Sequence, residues 1–252
     1  MNDPHSNIKQ HLNTLKLREI DRNLDDVMAR ALTDNLPTST VLEQLFSYEA
    51  SAMIDRRIER RIKESKLPER KLLADFDFEF QKGINKQQIM ELSTLSFVAK
   101  KQGVILAGSS GCGKSHICKA LLLIGCQKMY RCRYTTATDM LKTLMSGLPD
   151  NTLDQKLKIY TRPEILLIDE VGFDRLEQES TRHGALFFKV IDARYGKSST
   201  LMTTNVDFKE LGDYLGDPVI TTAIVDRMVH HSIIITIDGP SWRMHCSKQI
   251  NR

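Results

Sequence analysis

A chain of 252 residues with 36 Lys and Arg against 32 Asp and Glu is long enough for one large domain or a small one joined to a medium one. Its formal charge of +4 permits nucleic acid as a partner without demanding it. Five cysteines without a C-x-x-C pair argue against a disulfide framework or zinc knuckle, no apolar run approaches the roughly 20 residues of a membrane span, and the N-terminus lacks a signal peptide's layout; a cytoplasmic protein with reduced thiols and no membrane association is expected.

In chain order, the first part reads as helix. Leu17, Ile20, Leu24, Val27 and Ala31 follow three- and four-residue spacing up to Asn35-Leu36-Pro37. A second helix is expected beyond the proline, with Thr40 to Glu43 as a capping box. From Ile54 its apolar stripe narrows to Ile54, Ile58 and Ile62, while Arg56, Arg57, Arg60 and Arg61 load the surface. Arginines at that density suit phosphates on a duplex, and Asp55, Glu59 and Glu64 among them equally suit pairing along the helix. Lys66 to Lys71, with Pro68, reads as a linker. The sequence therefore divides into a helical domain, 1–72, and a second domain, 73–252. Phe76, Phe78 and Phe80 alternate with acids in an extended stretch that either walls a base pocket or anchors the linker, and Gln87 to Ala99 reads as one helix.

The apolar run Val104 to Ala107 leads into Gly108-Ser109-Ser110-Gly111-Cys112-Gly113-Lys114-Ser115, which fits G-x-x-x-x-G-K-[ST], and a helical pattern follows through Ile117, Ala120, Leu121 and Ile124. Strand, glycine loop and helix are the setting in which backbone amides and a helix N-terminus hold phosphates. Lys114 is then expected on the β- and γ-phosphates and the Ser115 hydroxyl on Mg²⁺. Arg133 to Ala137 reads as a strand, and Met140, Leu141 and Leu144 as part of a helix. Ile165 to Ile168 is a buried parallel strand ending in Asp169, expected to hold Mg²⁺ through water, and Glu170, expected to act as general base. A further strand, Ser199 to Thr204, ends at Asn205, whose amide is placed to orient water or touch the γ-phosphate; Ile233 to Ile237 reads as the fifth strand. Together these elements have the α/β layout of P-loop ATPases with an additional central strand and a catalytic glutamate, and the polar strand tip points to the AAA+ branch.

The C-terminal part, from about Leu73 nearly to the end, resembles the IstB-like family of insertion-sequence ATPases, relatives of the DnaC helicase loaders. The residues that carry the resemblance are Gly108 to Ser115 with His116 following, Ile168 to Phe173, Arg194-Tyr195, Thr203-Thr204-Asn205, Asp226-Arg227-Met228, His230-His231 and Gly239 to Arg243. The family more often has Thr at Ser115, Asp at Glu170 and Tyr at Trp242. The resemblance implies a five-stranded parallel AAA+ sheet behind a small helical N-terminal domain; from the few residues after Arg243, no C-terminal lid is expected. It implies ATP and Mg²⁺ bound by the loop together with His116 and Arg243, the latter in the place of a second sensor. It further implies Arg227 as an arginine finger acting on a neighbouring subunit of a homo-oligomer, as against a surface arginine paired with Asp226. ATP-dependent action on double-stranded DNA beside a cognate transposase is the implied function, with a DnaC-like helicase loader as the alternative. His230 and His231, adjacent on a helix, point apart and are read as no metal site.

Overall fold

The computed structural model describes residues 3–172, 181–206 and 218–250; Phe173, the last residue of the acid-strand motif, lies outside them. The chain divides into two compact units, Met1–Arg60 and Arg61–Arg252. The division falls inside the third helix, ahead of the change in composition at 72/73.

The first unit is built on α1 (Pro4–Leu15), α2 (Arg18–Thr33) and the long α3 (Thr38–Ser65). Leu12, Ile20, Leu24, Val27, Val41 and Leu45 form its core, the residues that three- and four-residue spacing brings to one face of each helix. The expected capping box is not formed: α3 begins at Thr38, and the amides of Thr40 and Val41 donate to Pro37 O, so Thr40 lies within the first turn. The first turn of α2 lacks a local side-chain cap, and Glu49 of α3 supplies one, its Oε2 accepting from Glu19 N at 2.8 Å. Oε1 of the same carboxylate, in a side chain only 5% exposed, takes Arg56 Nη2 at 2.7 Å.

The second unit is a five-stranded parallel sheet in the order β2-β3-β4-β1-β5. The strands are β1 (Gly103–Gly108), β2 (Cys132–Thr136), β3 (Ile165–Val171), β4 (Ser199–Thr204) and β5 (Ser232–Ile237). The acid strand β3 pairs with β4, and β4 with the loop strand β1, so the extra strand sits between them as the motifs require. Among the described residues, the α-helices of this unit are α4 (Lys86–Ser93), α5 (Ser96–Ala99), α6 (Lys114–Gln127), α7 (Ala137–Met145), α8 (Leu153–Thr161), α9 (Thr181–Arg194), α10 (Pro218–His230) and α11 (Trp242–Ile250). The helix expected over Gln87 to Ala99 is two, because Leu95 turns left-handed at φ 63 between them. Ile105, Leu166, Ile168 and Met202 face a core shared with α7, α9 and α10, and the alternate positions of the same strands face the side on which α6 packs.

Arg194 ends α9 inside this core, 2% exposed. Its guanidinium donates to Thr200 Oγ1 and to the carbonyls of Tyr160, Pro163 and Ser199, at 2.5–2.9 Å. Burial pulls its pKa down to about 9, which still leaves it charged at neutral pH. The arginine thus pins the end of α8 and the starts of β3 and β4, a structural reason for its place in the motif set.

Burial pushes the Glu49 carboxyl up, and the Arg56 guanidinium with the amides of Glu19 and Ile20 outweighs it, so the folded pKa lies below the ordinary 4.5. A depressed carboxylate stabilises the fold above its unfolded pKa and loses that contribution as the pH falls through the folded value. Glu49→Gln is expected to cost about 1 kcal/mol at neutral pH, the scale of a lost helix cap. Denaturant melts should show the gap to wild type closing under acid conditions; a gap that persists there would assign the loss to shape and not to charge.

Candidate functional site

The loop between β1 and α6 turns on Gly108, Gly111 and Gly113, at φ 142, 83 and 97. A Cβ at Gly111 would lie 2.1 Å from Ser241 Oγ, and one at Gly113 would lie 2.4 Å from the Phe76 ring, so backbone conformation and close packing both exclude a side chain. Lys114 opens α6, buried, with Nζ donating to Gly108 O at 2.6 Å and Ser109 O at 2.8 Å. The buried Cys112 thiol stands 3.7 Å from the same ammonium.

At the end of β3 the regular pairing with β4 shifts between Ile168 and Val171, and Glu170 adopts a left-handed φ of 63. That conformation costs a non-glycine residue roughly 1–2 kcal/mol. It is held by Thr203 Oγ1, which accepts from Glu170 N at 2.9 Å. This irregularity separates the two acids: Asp169 stays 2% exposed, while Glu170 is turned out to the cleft.

Asp169 is the hub of the site. Its Oδ1 accepts from Ser115 Oγ at 2.7 Å and from Thr203 Oγ1 at 2.5 Å, and its Oδ2 from Tyr134 OH at 3.3 Å, with Lys119 Nζ 3.9 Å away. Burial, then the Asp169 charge beside it, pushes the Tyr134 phenol well up, so it remains a neutral donor. Lys119 also binds Glu69 Oε1 at 3.1 Å, and the lysines at 119 and 71 hold the Glu69 carboxyl below its usual range.

Residues 69–81 lie as a strap along the loop and the first turns of α6. Besides the Glu69 contact, His116 Nε2 donates to Leu72 O at 2.8 Å and packs edge-on against Phe76, whose ring covers Gly113. Buried Gln81 donates through Nε2 to Cys112 O at 3.0 Å and Pro240 O at 3.2 Å, and Trp242 N donates to Gly111 O at 3.0 Å. The strap and the turn ahead of α11 therefore converge on one loop, and Phe80 stacks edge-on against Trp242 at 4.9 Å.

These elements enclose a cleft of about 570 Å³ that gathers Ser110 to His116 together with Glu170, Asn205 and Arg243. Ser115 and Asp169 offer paired oxygen donors at a helix N-terminus, which fits a hard cation such as Mg²⁺, and the glycine loop with Lys114 fits a polyphosphate. Arg227 is not in this cleft. It lies beside Gly103, Thr200 and Ser232, within the first two residues of β1, β4 and β5, about 17 Å down the sheet from the loop at the strand rise. Its partner is Asp192 of α9, with Nε 2.8 Å from Oδ1, and not Asp226, which is exposed. His230 binds the Tyr195 hydroxyl through Nδ1 at 2.7 Å. Of the four arginines on α3, Arg56 is committed to Glu49 and Arg61 approaches Glu64 at 3.6 Å, whereas Arg57 and Arg60 are exposed.

Sequence reasoning missed Tyr134, Lys119 and Gln81, and it quoted Thr203 in a motif without giving it a role. A signal existed for two of them: Thr203 is a hydroxyl closing an otherwise apolar strand, and Lys119, four residues after Ser115, shares its face of α6. Tyr134 and Gln81 carried none, because only sheet pairing and the strap's path bring them in.

Thr203→Val keeps shape but removes a donor from a buried carboxylate and an acceptor from the Glu170 amide. Urea melts are expected to show a loss on the order of 1–3 kcal/mol, with Thr203→Ser near wild type; equal stability of the valine variant would show that Thr203 is not what holds the bulge.

The family of IstB-like ATP binding proteins matches residues 10–250. The chain is similar to the insertion sequence IS232 ATP-binding protein of Bacillus thuringiensis subsp. berliner, 34% identical with 99% of each chain covered. It is also similar to the insertion sequence IS5376 ATP-binding protein of Geobacillus stearothermophilus, 35% identical over 85% of this chain and 84% of that one. In fold it is similar to the crystal structure of the DnaC helicase loader, at a TM-score of 0.51 and 20% identity, covering 60% of this chain and 87% of that one. A glycine loop at the end of a strand in a five-stranded parallel sheet and a family match over nearly the whole sequence lead to one assignment: the chain belongs to the IstB-like ATP binding proteins of insertion sequences.

Proposed function

We propose that this protein binds and hydrolyses ATP with Mg²⁺ in a homo-oligomer and uses the nucleotide state to act on double-stranded DNA for the transposase of its insertion sequence. The observation that carries this reading is the division of parts between the two ends of the sheet. The loop, the Ser115 and Asp169 oxygens and the out-turned Glu170 share one cleft, while Arg227 stands at the opposite end, too far to serve its own loop. Arg227 so placed can meet a terminal phosphate only in the cleft of a second copy, beside the Arg243 that each cleft already holds.

In this reading the loop amides and Lys114 bind the phosphates, and Ser115 and Asp169 hold Mg²⁺, which when bound offsets phosphate charge and orients the terminal group. Glu170 takes a proton from water as it attacks the γ-phosphorus, and Asn205 at the tip of β4 orients that water. Arg227 of a neighbour balances the charge that builds on the phosphoryl oxygens as the bond to ADP breaks. Arg243 and His116 border the cleft beside the nucleotide. On DNA the exposed Arg57 and Arg60 are the foremost phosphate contacts; Arg56 is discounted, since removing it strands a buried Glu49 carboxylate.

Lys114→Ala is expected to abolish nucleotide binding. Glu170→Gln should keep binding and lose turnover by about 10²–10⁴-fold, so wild-type turnover in that variant would remove Glu170 as the base.

For DNA, the measurement is a salt titration of duplex affinity with and without a non-hydrolysable ATP analogue. Arg57→Ala with Arg60→Ala should flatten the slope by roughly one unit for each arginine removed, alike for any sequence. An unchanged slope would move the phosphate-binding surface to Lys128, Arg131 and Arg133, and no duplex binding in any nucleotide state would turn the reading to a helicase loader.

A further inference from the structure

α9 and α10 meet along two matching stripes. Phe188, Asp192 and Tyr195 recur at helical spacing at the end of α9 and just beyond it, and Ala223, Arg227 and His230 recur in the same way on α10. The stripes are joined in rungs. Asp192 Oδ1 accepts from Arg227 Nε at 2.8 Å, the Phe188 ring lies under the guanidinium with its centroid 4.7 Å from Cζ, and one turn on the Tyr195 hydroxyl bonds His230 Nδ1 at 2.7 Å. Within α10, Nη1 of Arg227 donates to Ala223 O at 3.1 Å.

An exposed arginine ordinarily spreads over many rotamers, and a single surface ion pair does little to stop it. Here the guanidinium is held on its Nε edge by a carboxylate, at Nη1 by a carbonyl and on one flat face by a ring. The Arg227 side chain remains 29% exposed and Asp192 50% exposed, so the group is clamped at the surface and not sealed within the core. The planar fork thus keeps a fixed orientation, with Nη2 as the edge outside these contacts. Fixing a charged group before it meets its target removes an ordering cost at the moment of reaction.

We infer that Asp192 and Phe188 are positioning residues for Arg227, a clamp on α9 that presents the arginine to the terminal phosphate held by a neighbouring copy of the chain. The inference rests on the reading of Arg227 as acting between subunits. Neither clamp residue touches nucleotide; both act through the orientation of the guanidinium.

The test uses full-length protein and compares Asp192→Ala, Asp192→Asn, Phe188→Leu and Arg227→Ala, alone and with Asp192→Ala joined to Arg227→Ala. ATP affinity is measured on dilute protein, turnover on concentrated protein, and assembly size by sedimentation. Asp192→Ala is expected to lower turnover in the assembled state by about ten- to a hundredfold, with ATP affinity and assembly size unchanged. Asp192→Asn, which keeps an acceptor oxygen, should recover part of the loss, and Phe188→Leu should give a smaller loss of the same kind. In the Arg227→Ala background Asp192→Ala should add nothing, a non-additivity that a merely structural role would not produce.

A wild-type or raised turnover in Asp192→Ala, while Arg227→Ala is slow, would overturn the clamp and leave the arginine's role standing. Additive losses in the double variant would also overturn it. Full assembled turnover in Arg227→Ala would remove the intersubunit role and the clamp with it.

Discussion

The second unit is arranged around one carboxylate. Asp169 is almost wholly buried, and its two oxygens draw hydroxyls from Ser115 on α6, Thr203 on β4 and Tyr134 on β2. A buried acid is tolerable only when its lone pairs are met, so the helix after the loop and the two strands flanking β3 are drawn to a common point. The strained backbone at Glu170 is part of the same arrangement, because Thr203 that binds Asp169 also holds the Glu170 amide. One hydroxyl thereby sets the buried acid and the exposed one relative to each other.

Around that hub the loop is braced from two distant parts of the chain. The strap at 69–81 reaches it through Lys119, His116 and Gln81, and the turn ahead of α11 reaches it through the Trp242 amide. A glycine loop alone would be free to rearrange, since glycine has the most backbone freedom to lose. Bracing by hydrogen bonds to the carbonyls of Gly111 and Cys112 leaves the loop amides for an anion and fixes the path they follow. The aromatic packing of Phe76 on Gly113 and of Phe80 on Trp242 puts an apolar wall where the strap meets the cleft.

At the other end of the sheet the same two layers serve a different need. Arg194 binds carbonyls at the starts of β3 and β4 from inside the core, and Arg227, within the same α9 and α10 pair, stays at the surface on a carboxylate. The contrast follows from what each arginine meets. Carbonyls of the chain around the starts of β3 and β4 accept a buried donor fork, whereas Asp192 half in water can hold a guanidinium without sealing it away.

The sequence by itself determined the parts whose pattern is local. Four apolar residues before Asp169, a glycine loop between strand and helix periodicities, and three- and four-residue spacing in α2 were enough to place β3, the phosphate loop and the helical start, because burial on both faces or on one stripe leaves a direct trace in residue order. Tertiary structure alone decided what depends on parts far apart in the chain. Glu49 capping α2, Tyr134 on Asp169, Gln81 under the loop and Asp192 in place of Asp226 on Arg227 are pairings across a turn, a sheet or a helix interface. Polar side chains of these types occur on any surface, and their partners are chosen by distance in space; sequence order carries no record of that distance. The break at Leu95 and the left-handed Glu170 belong to the same class, since in each a non-glycine residue accepts strain that only the surrounding packing enforces.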